Sequence, residues 1–547
     1  MRGLALRAGM FLSGRLWRQV ERAADRPDVA QRRVLARLLG ANRGTRFGVE
    51  HGFAGIRDPA AFRASVPVQT YETLRPYIDE QRRTGARALT AESPLFYAQT
   101  SGTTGQPKYI PITPSMLAMQ RSEQTLFSYL QFRACPEAFA GKALGIMGAA
   151  VEGRLDSGHT VGSVSGHLYR SLPRIVRSRF VVPPEALAIA DYDLKYLIIL
   201  RLALAQRDIT YLGSPNPTTF LRLLDLVNAK RDVLVESLAT GRLDALDALD
   251  DSLRQSLARR FAPDHGRAAE LRRLPTLTFA TLWPSIRLVT TWTGGSCGVA
   301  LEAMRKKLPP ATLVMELGYQ SSECRGTIAL SAETPAGLPP LHHHFFEFVE
   351  PAGWDDGRPE FLGLDELERG KRYYVLFTTA GGLYRYFMND LVEVDGFYRR
   401  VPLVRFVQKG RGVTSLTGEK LYEAQVIEAM RDVAIRHDLS ATFFLLVADE
   451  QSSTYTLFIE ADDGRPTATP SMALDLDRRL GELNIEYEAK RKSGRLEPLK
   501  VAWLRPGAAE AYKAVCVRAG QREVQFKPAL LQYRKDLLLR FDDFVVV

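Results

Sequence analysis

Residues 97–113 read YAQTSGTTGQPKYIPIT, a run of hydroxyl-bearing residues, glycines and one lysine between two apolar stretches. This composition suits a loop that holds phosphate. Ser101, Thr103 and Thr104 bring hydroxyl donors, Gly102 and Gly105 let the backbone turn successive N–H groups towards an anion, and Lys108 adds a cation at the end. The apolar run LFYA (95–98) predicts a strand before the loop. Thr113-Pro114-Ser115 predicts a helix start after it, with Thr113 or Ser115 as the N-cap. From Gly102 the order is G-T-T-G-Q-P-K-Y, which lacks the G-x-x-x-x-G-K-[ST] spacing of a nucleotide-hydrolase P-loop.

The rest of the chain places this loop in an α/β protein. Helical periodicity covers residues 1–45 and much of 183–274, broken by YLGSPNPTTF (211–220), which reads as a loop. Beyond that, strands and helices alternate. IRLVTTWT (286–293) predicts a strand, VALEAMRKKL (299–308) a helix, TLVMELGY (312–319) a second strand, and HHHFFEFVE (342–350) and YYVLFTTA (373–380) two more. Such an order predicts a large N-terminal domain of mostly parallel sheets covered by helices. The polar, glycine-containing stretch around 409–418 lacks periodicity and reads as a hinge. It divides the chain into an N-terminal domain, 1–409, and a small mobile α+β C-terminal domain, 410–547.

Three further constellations carry chemistry. Gly318-Tyr319-Gln320-Ser321-Ser322-Glu323 follows a predicted strand, and ligands of open α/β sheets bind at the carboxyl ends of strands. A tyrosine ring can stack on a purine, a serine hydroxyl can bond a phosphate, and a glutamate can hold Mg²⁺. Asp390, after the turn beginning Gly381-Gly382, can accept two hydrogen bonds from a ribose diol. Arg411, in the hinge, can reach phosphate or ribose. Taken singly, each also describes a strand end, a turn aspartate or a solvated linker charge.

Composition narrows the classes. With 547 residues, 46% hydrophobic and 25% charged, the chain is globular and long enough for at least two domains. The formal net charge is +11, but the basic residues are scattered and no zinc-finger or RNA-recognition signature accompanies them. A surface that tolerates anionic small molecules fits better than a nucleic-acid partner. Cys135, Cys297, Cys324 and Cys516 form no C-x-x-C pair, so neither a disulfide framework nor a zinc site is indicated and a reducing cytoplasm fits. The longest apolar helical run, YLIILRLALAQ (196–206), falls short of the ~20 residues that span a bilayer. A cytoplasmic monomer is expected.

Together, and in this order, the motifs resemble the adenylate-forming superfamily of acyl-CoA synthetases and peptide synthetase adenylation domains. The phosphate loop followed by IPIT, the Y-x-S-S-E form of the glutamate motif and GLYRYFMNDLVEV are similar to the auxin-responsive promoter family of acyl acid amido synthetases. NRGTRFGVEHGF (42–53) and FRASVPVQTYETLRPYI (62–78) resemble that family's opening segment, and the likeness runs from Leu35 to Lys527.

The resemblance implies a two-step reaction. ATP and a carboxylic acid form an acyl-adenylate and pyrophosphate; the amine of an amino acid then takes the acyl group and AMP leaves. It also implies roles. Ser101, Gly102, Thr103, Thr104 and Gly105 hold phosphates with Lys108, Gly294, Gly295 and Ser296 line the adenine and acyl pocket, and Tyr319 stacks on adenine. Ser322 binds the α-phosphate, Glu323 binds Mg²⁺, Asp390 holds the ribose and Arg411 contacts ribose or phosphate. Lys527, in Gln525-Phe526-Lys527-Pro528, matches the family's C-terminal lysine, although Ala529 stands where the family form has arginine.

Two rivals remain open on sequence. Coenzyme A or a carrier thiol could replace the amino acid after the same adenylation step. Gly294-Gly295-Ser296-Cys297-Gly298 also matches the nucleophile elbow G-x-S-x-G, with Glu316 or Glu323 and His342 to His344 supplying the order serine, acid, histidine. No HGGG-type oxyanion loop precedes it, and the phosphate loop is left unexplained. The three histidines could also suggest a metal, but in a strand only His342 and His344 would share a face.

Overall fold

The computed structural model of the chain describes residues 2–100, 108–294, 297–355, 357–409, 412–414, 416, 419, 421–449, 451–461, 469–492, 496–519, 521, 523 and 526–546. It is an α/β protein. Four parallel strands, Lys142–Gly145, Ile209–Gly213, Leu288–Thr291 and Leu313–Glu316, lie side by side in chain order. The connections between them are helical, among them Tyr192–Leu204, Pro217–Ala229 and Cys297–Arg305. Leu288–Thr291 is buried at every position, as a strand covered on both faces must be. Ile209–Gly213 corrects the reading of 211–220 as a loop. Its short apolar run is a strand, and only the Ser214-Pro215-Asn216 corner after it turns the chain, Asn216 capping the next helix through Thr218 N–H at 3.0 Å.

The expectation of mostly parallel sheets holds for that sheet alone. The largest sheet has six strands, all paired antiparallel, built around Phe345–Val349, Arg372–Thr378, Tyr386–Tyr398 and Val401–Lys409. The cause is the length of the connections. Between Thr378 and Tyr386, and between Tyr398 and Val401, the chain is too short to carry a crossover, so neighbours must pair as hairpins. A third sheet is mixed. Its strands Phe96–Thr100 and Lys108–Ile112 pair antiparallel with Thr100 opposite Lys108. Helix Pro114–Ala134 follows. Thr113 is its N-cap, accepting the N–H of Met116 at 3.2 Å, while Ser115 bonds Glu92 instead.

The C-terminal part builds its own sheet. Lys500–Trp503, Thr454–Ala461, Ala441–Asp449 and Leu531–Tyr533 pair in that order, with Glu423–Arg436, Thr469–Leu483 and Ala508–Arg518 packed on it. Its buried apolar clusters draw only on residues between Leu421 and Phe541, whereas those of the rest of the chain lie between Trp17 and Val404. Two cores therefore form, each of two clusters. The three histidines, expected in a strand, occupy the turn before Phe345. Among the described residues, no helix is long and apolar enough to cross a membrane.

Candidate functional site

The carboxyl ends of the parallel strands meet one end of the antiparallel sheet. Glu316, the last residue of its strand, accepts hydrogen bonds from Thr293 N–H and Oγ1 at 2.7 and 2.5 Å and from Gly318 N–H at 3.0 Å. One buried carboxylate thus laces together the turns after two neighbouring strands. Burial pushes its pKa up, against those bonds and the charge of Lys527. The turn demands glycine at 318, where φ is +97° and an added Cβ would lie 2.5 Å from the Thr327 carbonyl oxygen.

That turn delivers Tyr319. Its ring lies nearly parallel to Phe406, at 18° and 5.6 Å between centroids, and its hydroxyl donates to Asp390 Oδ2 at 2.5 Å. Burial, then the Asp390 charge, pushes this phenol far above the ordinary tyrosine value. Asp390 is buried. It was expected after a turn but sits inside the strand Tyr386–Tyr398, opposite Lys409. Asn389, at φ 58°, bends the strand without ending it, because pairing with the neighbouring strand resumes at once.

Ser322 and Glu323 are both buried in the following turn. The turn is held by Ser321, whose Oγ accepts from the N–H groups of Glu323 and Cys324 at 3.2 and 3.4 Å. Cys324 is enclosed as well, and burial, with Glu323, Glu123 and Asp390 nearby, drives its thiol pKa far up. Tyr386 lies within electrostatic reach of Glu323, Tyr71 and Asp390. Lys108, with its ammonium 5.7 Å from the Tyr71 ring centre, stands at the other end of this group. The strand end at Lys108 and the carboxylates therefore border one region of the fold.

Lys527 arrives from the C-terminal part. Its Nζ is 3.8 Å from the ring centre of Trp292 and 5.2 Å from that of Phe406, beside Tyr319 and Glu316. Among the predicted residues, Lys108, Gly294, Tyr319, Ser322, Glu323, Asp390 and Lys527 are thus placed, while Ser101, Gly102, Thr103, Thr104, Gly105, Gly295, Ser296 and Arg411 lie outside the described residues. Sequence reasoning missed Phe406, a strand residue with no motif around it.

The hydrolase reading loses one of its two acids and two of its three histidines. Glu316 is engaged by Thr293 and Gly318, and His343 and His344 turn to helix Pro114–Ala134, where Glu123 Oε1 lies 2.9 Å from His343 Nδ1 and 3.2 Å from His344 Nε2. Burial would raise the Glu123 carboxyl, but His344 and His343 outweigh it and hold it at about 2. The histidines anchor a turn. Among the described residues, no cluster of three or more His, Cys, Asp or Glu groups could hold a metal on its own.

These two layers of strand ends, with an aromatic slot and a lysine brought in from the C-terminal part, form the fold of the adenylate-forming enzymes. A structure of 2-hydroxyisobutyryl-CoA ligase in the postadenylation state with 2-HIB-AMP superposes with a TM-score of 0.58 at 12% identity, over 93% of this chain and 90% of that one. AtGH3.15 acyl acid amido synthetase in complex with 2,4-DB superposes with a TM-score of 0.86 at 22% identity, over 98% and 96%. Family models narrow this further: the GH3 family N-terminal domain matches residues 16–313, its central domain 338–409 and its C-terminal domain 424–535. The chain belongs to the GH3 family, the auxin-responsive family whose motifs its sequence carries. Among its relatives, indole-3-acetic acid-amido synthetase GH3.8 of Oryza sativa subsp. indica is 26% identical, covering 93% of this chain and 89% of its own length. Indole-3-acetic acid-amido synthetase GH3.6 of Arabidopsis thaliana is 24% identical over the same shares, 93% and 89%.

Proposed function

We propose that this chain is an ATP-dependent acyl acid amido synthetase. A carboxylate oxygen of the acid attacks the α-phosphorus of ATP and pyrophosphate leaves. The amine of an amino acid then attacks the acyl carbon of the acyl-adenylate, the bond to AMP breaks, and an amide is released. The observation that carries this reading is the convergence of Tyr319, Phe406, Asp390 and Lys527, residues from separate parts of the chain.

In this reading Tyr319 and Phe406 receive the adenine, and Asp390 accepts from the ribose diol. With Oδ2 held by the Tyr319 hydroxyl, the Asp390 carboxylate is oriented before the nucleotide arrives. Ser101, Thr103 and Thr104, with Gly102, Gly105 and Lys108, support the leaving phosphates, while Gly295 and Ser296 line the pocket. Ser322 and Arg411 contact phosphate or ribose. A carboxylate is a poor nucleophile repelled by triphosphate, so the Lys527 ammonium is suited to neutralise charge as it develops at the α-phosphate. Glu323 offers the hard oxygen donor that Mg²⁺ prefers, and a single carboxylate fits an ion whose remaining ligands are phosphates and water. Such an ion supplies charge neutralisation.

The test is pyrophosphate release from ATP with Mg²⁺ over a panel of carboxylic acids, with pooled amino acids or coenzyme A, and products identified by mass. Acid-dependent release that ends in an amide is expected. A thioester product, or no release with any acid, would overturn the reading.

A further inference from the structure

The loop that carries Lys527 is tied to the N-terminal part by buried polar groups that the reaction itself does not use. Glu523, four residues before Lys527 in the chain, is almost enclosed and is paired with Lys513 of helix Ala508–Arg518 at 2.8 Å. Tyr196, buried on helix Tyr192–Leu204, points its hydroxyl at Glu523 Oε1 at 3.4 Å. Lys195, one residue earlier, is also buried and lies within electrostatic reach of the same carboxylate. On the other side of Glu523, the side-chain amide of Asn216 donates to the carbonyl of Phe526, whose own N–H returns to the Glu523 carbonyl at 3.1 Å.

Two features argue against simple packing. Long polar side chains buried on a helix must be compensated, and here the compensating acid comes from the other core. Asn216 already satisfies its oxygen locally by capping the next helix through Thr218 N–H and Oγ1 at 3.0 and 2.8 Å, which leaves its amide to reach across. The contacts hold Glu523 and Phe526, the latter directly before Lys527, whose ammonium lies against Trp292 and Phe406.

We propose that Tyr196 and Asn216 form a docking clamp that grips Glu523 and the Phe526 carbonyl and so positions Lys527 at the adenylate site. The clamp rests on the amido synthetase reading for its consequence, since it must be closed while the acid is adenylated and is not needed when the amine attacks. These are positioning residues. They touch neither nucleotide nor acid.

The experiment uses the full chain with Asn216→Ala and Tyr196→Phe, the latter removing one oxygen from an otherwise unchanged ring. Three quantities are read: hydrogen exchange of backbone amides 526–533 without substrate, first-turnover pyrophosphate release with an acid that the wild type accepts, and amide formation from that acid's acyl-adenylate supplied ready-made. Loss of one such hydrogen bond predicts roughly tenfold slower pyrophosphate release and faster exchange, with amide formation from supplied adenylate preserved. Equal loss of both half-reactions, or unchanged exchange and release, would overturn the clamp. Should the wild type release no pyrophosphate with any acid, the functional reading fails on its own. The exchange data then decide docking alone: acceleration in the variants supports it and identity with wild type overturns it.

Discussion

Glu423, at the start of helix Glu423–Arg436, accepts the N–H of Leu530 at 3.1 Å, three residues beyond Lys527 in the chain. Burial lifts its carboxyl to about 7, against the backbone bonds of Leu530 and Leu531 and the charge of Lys527. A carboxyl whose pKa is raised on folding binds its proton more tightly in the folded chain. Its contribution is therefore most favourable below about 4.5 and is lost as pH rises through about 7. The side chain is only partly enclosed, so the effect is at most about 3 kcal/mol. Glu423→Gln should gain stability over wild type between pH 5 and pH 8, measured as the difference in denaturant midpoint. A difference that stays flat across that window would refute the assignment. Much of the candidate site was legible at this scale, because Tyr319 and Glu323 stand in a short polar motif where an apolar strand ends, and Asp390 and Lys527 stand in short motifs of their own. Phe406 was not, since an aromatic residue in a strand reads as core until its neighbour across the fold is known.

At the scale of elements, Glu347 joins three of them. It sits in the strand Phe345–Val349, nearly inaccessible to solvent, with Arg385 Nε and Arg63 Nε each 3.0 Å from its oxygens. Arg385, at φ 44°, also donates to the Val66 carbonyl at 2.8 Å, tying helix Pro59–Ser65 to the strand that carries Asp390. Removing the charge from one partner of a buried pair leaves the other uncompensated. Glu347→Gln should therefore cost about 3 kcal/mol of stability, read from denaturant unfolding, and a loss near zero would show the pair to be dispensable. Apolar runs with glycine and proline punctuation made the parallel strands readable. Strand direction in the larger sheet depends on connection length and on which edge a strand joins, and the periodicity of a single strand carries neither. The histidine turn was misread for a related reason: its residues are placed by Glu123, 220 positions from His343.

For the whole molecule, the candidate site draws on both parts of the chain, Tyr319 and Asp390 from one and Lys527 from the other. Lys527→Ala should lower acid-dependent pyrophosphate release by roughly two to three powers of ten while sparing amide formation from supplied acyl-adenylate. A parallel fall in both steps would assign Lys527 a structural role instead. The two cores have no buried apolar residue in common. All four cysteines are buried, including Cys324 next to Glu323, and only a thiolate attacks an activated acyl group with speed. Cys324, next to the carboxylate of Glu323, is thus held as a thiol and does not compete with an incoming amine for an activated acyl group.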